Sequence, residues 1–210
     1  MKSDEKISSI LVRQQGYKDL GQPVILASGE LGIYFVNAEK LSCDPDVSTN
    51  LKKYEENGTG MVQHFVQMAE EHPEFGQVIN ILSEKVQTLF DDSPGFNSYV
   101  VSGGQRRDWV FSGPIAHNLG VGHVSLYKDP QSGGLEVVDG DGSTHRYPEF
   151  QSVYAVHIVD MITEASSCCK EPNGWVPQLR SHGITVDNLV AVTSRLQGGE
   201  QNLADIGVNA

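Results

Sequence analysis

Asp160 closes an apolar run, Ala155-Val156-His157-Ile158-Val159, and is followed by Met161-Ile162 and then Thr163-Glu164-Ala165-Ser166-Ser167. The run reads as a buried strand with an acid at its carboxyl end and a loop of small, hydroxylic residues after it. In an open parallel α/β sheet, ligands bind outside the carboxyl ends of the strands, and a small-residue loop entering a helix exposes backbone N–H groups to an anion. Thr163, Ser166 and Ser167 add hydroxyl donors, and Ala165 has no bulk to shield the backbone. The chemistry this suits is a phosphate cradle beside a carboxylate; a plain strand-to-helix turn is the alternative.

A second stretch, Ser102-Gly103-Gly104-Gln105-Arg106-Arg107, follows the apolar Tyr99-Val100-Val101 and reads as a basic glycine turn. Gly103 and Gly104 can take positive φ there and let a second phosphate approach the backbone. Either Arg106 or Arg107 would neutralise it, the other serving as a solvated helix-start residue. Lys128 ends the run His123-Val124-Ser125-Leu126-Tyr127, and Arg195 follows Leu189-Val190-Ala191-Val192-Thr193. If these runs are parallel strands, one rim gathers two anion-friendly loops, several cations and a carboxylate.

The elements needed to position them alternate between strand and helix, which predicts an α/β fold with an open, mainly parallel sheet flanked by helices. A first helix is expected over Asp4 to Gln15, with Ile7, Ile10 and Leu11 on one face. Pro23 to Ala27 and Ile33 to Val36 are expected to be short strands joined across Ser28-Gly29-Glu30-Leu31-Gly32, forming a small N-terminal cap. Helix is expected from Leu51 to Phe90, broken at Gly58-Thr59-Gly60 and at His72-Pro73. Another is expected from Asp108 to Leu119. Leu135-Glu136-Val137-Val138 and Thr144-His145-Arg146-Tyr147 form a possible hairpin, and 129–142 is either a lid or a surface excursion. The division expected is a helix and hood over 1–50 and an α/β core over 51–210.

The 210 residues carry a formal net charge of -12, which argues against nucleic acid as a partner. Small anions remain possible where the basic residues cluster. Three cysteines, Cys43, Cys168 and Cys169, make no metal spacing or disulfide framework. Cys168 and Cys169 could be reactive near a helix start, but small packing residues are the simpler reading. No apolar run is long enough to span a membrane and Met1-Lys2-Ser3-Asp4 leads into no signal-peptide core, so the expected location is the cytoplasm.

The run ending in Asp160 and its loop resemble the phosphoribosyl-pyrophosphate loop of the type I phosphoribosyltransferases. Three further stretches resemble orotate phosphoribosyltransferases in the same order: Leu26-Ala27-Ser28-Gly29 with Tyr34-Phe35-Val36-Asn37-Ala38, Leu126-Tyr127-Lys128-Asp129, and Arg195-Leu196-Gln197-Gly198-Gly199. The resemblance spans nearly the whole chain. It implies a transferase joining a pyrimidine-type base to phosphoribosyl pyrophosphate (PRPP), with Mg2+ on the pyrophosphate, and a homodimer. It further implies that Asp160 contacts the ribose hydroxyls and supports the oxocarbenium ion. Thr163, Ala165, Ser166 and Ser167 would hold the 5-phosphate, and Lys128, Gly103 and Gly104 with Arg106 and Arg107 the pyrophosphate. Arg195 with Phe35 or Tyr34 would meet the base.

Several positions depart from that pattern. Val159 stands where a first acid is usual. Glu164 stands inside the phosphate loop, where a carboxylate about 4 Å from a phosphate would cost on the order of 4 kcal/mol at an effective dielectric near 20, so its side chain is expected to point away. Glu30 replaces a basic residue, and 129–142 holds no lysine or histidine. The alternative is therefore a non-catalytic relative that binds a nucleotide or phosphoribosyl ligand as a sensor.

Overall fold

The computed structural model describes residues 3–25, 31–57, 60–128, 135–138, 143–147 and 151–210. In chain order these form α1 (Ser3–Arg13), β1 (Tyr17–Ile25), β2 (Leu31–Val36), a 3-10 turn (Ala38–Ser42), α2 (Val47–Asn57), α3 (Met61–Glu71) and α4 (Pro73–Asp91). There follow β3 (Ser98–Gly104), α5 (Trp109–Leu119), β4 (Gly122–Leu126), β5 (Leu135–Val138), β6 (Thr144–Tyr147) and β7 (Val153–Ile162). The chain closes with α6 (Ser166–Cys169), α7 (Trp175–Ser181), β8 (Ile184–Ser194) and α8 (Gly199–Asp205).

The amphipathic stripe of α1 behaves as its spacing predicts, and α3 and α4 each bury one apolar face. Ile7, Ile10 and Leu11 of α1 are buried, as are Phe65 of α3 and Val78, Leu82 and Val86 of α4. Gly60, at φ 83, separates α2 from α3, and Pro73 starts α4, where its missing N–H has no partner to lose. α2 crosses position 50, where the sequence reading divides hood from core. β1 begins at Tyr17 rather than at Pro23, because Tyr17 and Lys18 pair with Val36 and Phe35 across an antiparallel ladder that the polar Lys18-Asp19 does not announce. The joining residues 26–30, with the Leu26-Ala27-Ser28-Gly29 stretch and Glu30, lie outside the described residues.

The main sheet has six strands in the order β6-β5-β4-β3-β7-β8. β4, β3, β7 and β8 run parallel, and the β5–β6 hairpin adds antiparallel to β4, with Val137 opposite Val124. The open, mainly parallel sheet flanked by helices is thus as expected. Leu135 and Val137 are buried in the sheet edge, so β5 belongs to the scaffold; 129–134 and 139–142, the rest of the lid segment, lie outside the described residues.

Alternation along β7 builds both cores. Tyr154, Val156 and Ile158 face a cluster made with Trp109, Phe111 and Phe75, and Val153, Ala155 and Val159 face a second made with Trp175, Val176 and Leu179. Burying side chains of this size contributes roughly 1.5–3 kcal/mol each. Chain order also fixes a switch point. From β3 the chain crosses outward to β4 through α5, and from β7 it crosses the other way to β8 through α7. The crevice between β3 and β7 is therefore where a ligand is expected in an open α/β sheet.

Candidate functional site at the β3–β7 crevice

The two central strands part at that point. Their ladder ends at Gly103 opposite Ile158, whereas β3 stays paired with β4 through Gly104 and β7 with β8 through Ile162. The next two donors turn to one side chain: Gly104 N–H donates to Asp108 Oδ2 at 3.1 Å, and Asp160 N–H to Asp108 Oδ1 at 2.8 Å. Above this junction lies a cavity of about 430 Å³.

Most of the sequence-selected residues meet there. Asp160 and Lys128, Arg106 and Arg107, and Thr163, Ala165, Ser166 and Ser167 all border the cavity. Ala165 takes a left-handed φ of 55° and opens the short α6. Carbonyls of the preceding loop are held from outside, Thr163 O by Gly199 N–H at 3.0 Å and Glu164 O by Asn202 Nδ2 at 2.8 Å. The first-turn N–H groups at Ser166 and Ser167 belong to those a helix leaves without an internal partner. Glu164 is exposed and does not border the cavity, so its carboxylate stays out of the cradle.

Gly103 and Gly104 require a correction. They are buried residues of β3, not a turn with positive φ, and the turn comes after them at Gln105 to Asp108. Glycine is needed for packing: a Cβ at Gly103 would stand 2.2 Å from Ser112 Oγ, and one at Gly104 2.3 Å from the Trp175 ring. Neither glycine borders the cavity. Backbone access to an anion therefore falls to Gln105, Arg106 and Arg107, which do.

Arg195 and Tyr34 lie apart from this group, together on a second cavity of about 340 Å³ between β2 and the segment after β8. Arg195 Nε is buried there without a hydrogen-bond partner among the described residues. Of the two aromatic candidates, Tyr34 borders this cavity and stacks on Tyr17 at 5.7 Å; Phe35 does not border it and is 48% exposed.

Long-range contacts set the electrostatics. Arg106 pairs with Glu55 of α2 at 2.5 Å, and Gln105 donates to the same carboxylate. Arg107 pairs with Glu39 of the 3-10 turn at 2.7 Å, and the Glu39 side chain is only 3% exposed. Lys128 is exposed and, among the described residues, has no ion pair; its backbone N–H donates to Gln105 Oε1 at 2.7 Å. Burial pushes the Asp108 carboxyl well above the usual aspartate range, and the neighbouring Asp160 pushes it further. Burial also raises Asp160, with the Arg107 guanidinium opposing. Cys168 is buried and its thiol is driven up by burial and by Asp108, so it packs rather than reacts; burial raises Cys169 as well.

Asp108, Glu55 and Glu39 carry this arrangement and were not singled out from the sequence. Asp108 left a faint signal, an acid just ahead of a helix, which reads locally as a helix start. Glu39 and Glu55 left none, because the arginines they hold are more than fifty positions away.

The sheet order, the switch-point crevice and the loop after β7 define the fold of the type I phosphoribosyltransferases. Solved structures with that fold match nearly the whole chain. Over its full length it is similar to UMP synthase of Leishmania donovani, with a TM-score of 0.59 and 15% identity, and spans 35% of that longer chain. It is similar over 97% of its length to orotate phosphoribosyltransferase from Aeropyrum pernix, covering 90% of that chain, with a TM-score of 0.52 and 16% identity. A comparable likeness holds to adenine phosphoribosyltransferase from Saccharomyces cerevisiae, over 93% of this chain and 95% of that one, with a TM-score of 0.52 and 14% identity. No protein-family model and no curated protein matches the sequence. The chain is a divergent example of this fold, similar to both orotate and adenine transferases.

Proposed function

We propose that the chain is a phosphoribosyltransferase joining a pyrimidine-type base to the ribose 5-phosphate of PRPP, with release of pyrophosphate. The observation that carries this reading is the meeting of Asp160, the Thr163-to-Ser167 loop and three cations around one cavity at the β3–β7 crevice. In this reading the loop N–H and hydroxyl groups bind the 5-phosphate, and Asp160 accepts from the ribose hydroxyls while its charge stabilises the oxocarbenium ion. Lys128, Arg106 and Arg107 face the pyrophosphate, and Arg195 with Tyr34 faces the polar edge of the base. Displacement breaks the anomeric carbon's bond to pyrophosphate oxygen and forms one to a ring nitrogen of the base.

The described residues offer no cluster of three or more metal-ligating side chains. Mg2+ dehydrates reluctantly and commonly binds through substrate phosphates, so the described residues suit magnesium that arrives on the pyrophosphate of PRPP. Its chemistry there is to neutralise charge on the departing pyrophosphate. A homodimer is part of the proposal, supported by Ile25, Leu31, Ile33 and Phe35, which leave an apolar surface exposed on the β1–β2 sheet. Among the described residues no helix is long and apolar enough to cross a membrane.

A second reading, a non-catalytic sensor of a nucleotide or phosphoribosyl ligand, is favoured by one feature. Glu55 and Glu39 already hold Arg106 and Arg107, which weakens the site's grip on a leaving pyrophosphate. The assay that separates the two follows loss of orotate absorbance with PRPP and magnesium, beside a panel of other bases. Turnover that disappears in Asp160→Asn supports the transferase. No turnover with any base, while PRPP still raises the melting temperature, supports the sensor.

A further inference from the structure

We propose that Asp108 is the positioning partner of Asp160, supplying from the β3 side of the crevice the second carboxyl that Val159 does not provide on β7. The inference rests on the reading of Asp160 as the ribose-facing acid. Its basis is geometric. At the point where the β3–β7 ladder stops, both freed amides converge on the Asp108 carboxyl, at 3.1 and 2.8 Å. Asp108 thus bridges the parted strands and fixes the backbone of the residue that carries the chemistry.

Val159 cannot take this role: it borders the cavity, but its side chain is apolar and packs into the second core. Asp108 is itself only 7% exposed yet borders the same cavity as Asp160. Arg107 from the turn and Glu39 from the 3-10 turn are the other ionisable groups acting on Asp160, and both acids in turn raise the buried Cys168 thiol of α6. The two N–H donors favour a charged Asp108, but burial and the neighbouring Asp160 carboxyl outweigh them, so a proton shared by the pair resides on Asp108. Asp160 then remains the anion that faces the sugar, while Asp108 orients it as a neutral donor.

The test begins with a carboxyl carbon-13 NMR titration of the full chain as wild type and as Asp160→Asn. A coupled pair requires the Asp108 transition to move to lower pH once the Asp160 charge is gone; an unmoved transition overturns the proposal. The second arm is the pH profile of kcat with PRPP and orotate in Asp108→Asn. The amide is a permanent neutral donor, so the alkaline limb set by Asp108 should vanish, with kcat reduced by as much as roughly 100-fold through misplacement of Asp160 and KM changed less. A retained alkaline limb overturns the proposal, because a purely structural residue would lower stability without moving the profile. Asn leaves one of the two amides without an acceptor; if that variant does not fold, the titration decides alone. Coupled titration without turnover on any base supports the pairing and removes only the transferase reading. Turnover with uncoupled acids removes the pairing and leaves that reading intact.

Discussion

Replacing Glu55 by Gln should strengthen the binding of a phosphate-bearing ligand, because Glu55 holds a cation that the ligand needs. The Arg106–Glu55 pair measures 2.5 Å, with side chains 37% and 30% exposed. Two unit charges 4 Å apart interact by about 4 kcal/mol at an effective dielectric near 20. Solvent screening and side-chain entropy reduce a pair of this exposure to about 1 kcal/mol net. An incoming pyrophosphate must break that pair to recruit Arg106, so removing the competing charge should tighten binding about 5-fold, at 1.4 kcal/mol for each factor of ten. Gln is isosteric and can still accept from Gln105, which keeps the turn in place. The assay is a calorimetric titration of magnesium pyrophosphate into wild type and Glu55→Gln at low and high salt, with the gain shrinking at high salt. Unchanged or weaker binding in a folded variant would mean that Arg106 does not serve the anion, and the account of the cavity's charge would fail.

Gly103→Ala should lower stability by about 1–3 kcal/mol through overpacking against Ser112, seen as a fall of several degrees in a thermal melt; an unchanged melt would show that α5 yields freely. Acid should destabilise the fold through two buried histidines. His123 and His157 are lowered to about 3 from 6.5 by burial, so they stay neutral in the native state while the unfolded chain protonates them. Their stability contribution is complete above pH 6.5 and is lost as pH falls towards 3. The Asp108–Asp160 pair works in the opposite sense, because its raised values make the native state hold a proton that the unfolded acids release. Unfolding thus takes up protons at the two histidines, and the proton released by the acid pair offsets part of the resulting loss on acidification. Urea unfolding between about pH 6 and pH 5 measures this slope, and a flat or rising stability on acidification would contradict it.

Much of the scaffold was legible in the sequence because it rests on local periodicity. The apolar run of β7, the stripes of α3 and α4, and the breaks at Gly60 and Pro73 each carry their signal within a few residues. The loop after Asp160 was legible as a loop for the same reason, small hydroxylic residues directly behind a buried strand, though that pattern alone also fits a plain strand-to-helix turn. Where the local pattern misled, a distant partner had changed a residue's role. Gly103 and Gly104 looked like a turn, but Ser112 and Trp175 demand bare backbone in a strand. Tyr17 and Lys18 carry no strand signal until Val36 and Phe35 pair with them.

The sequence by itself determined the order of strands and helices and placed Asp160, Lys128 and the 163–167 loop at strand ends. Only the tertiary structure decided that β3 and β7 part above Gly103 and Ile158, that Asp108 bridges the gap, and that Glu55 and Glu39 restrain the two arginines. The physical reason is range. Hydrophobic periodicity is written in neighbouring residues, whereas a carboxyl's charge and a cation's freedom depend on groups that meet only when the sheet is assembled.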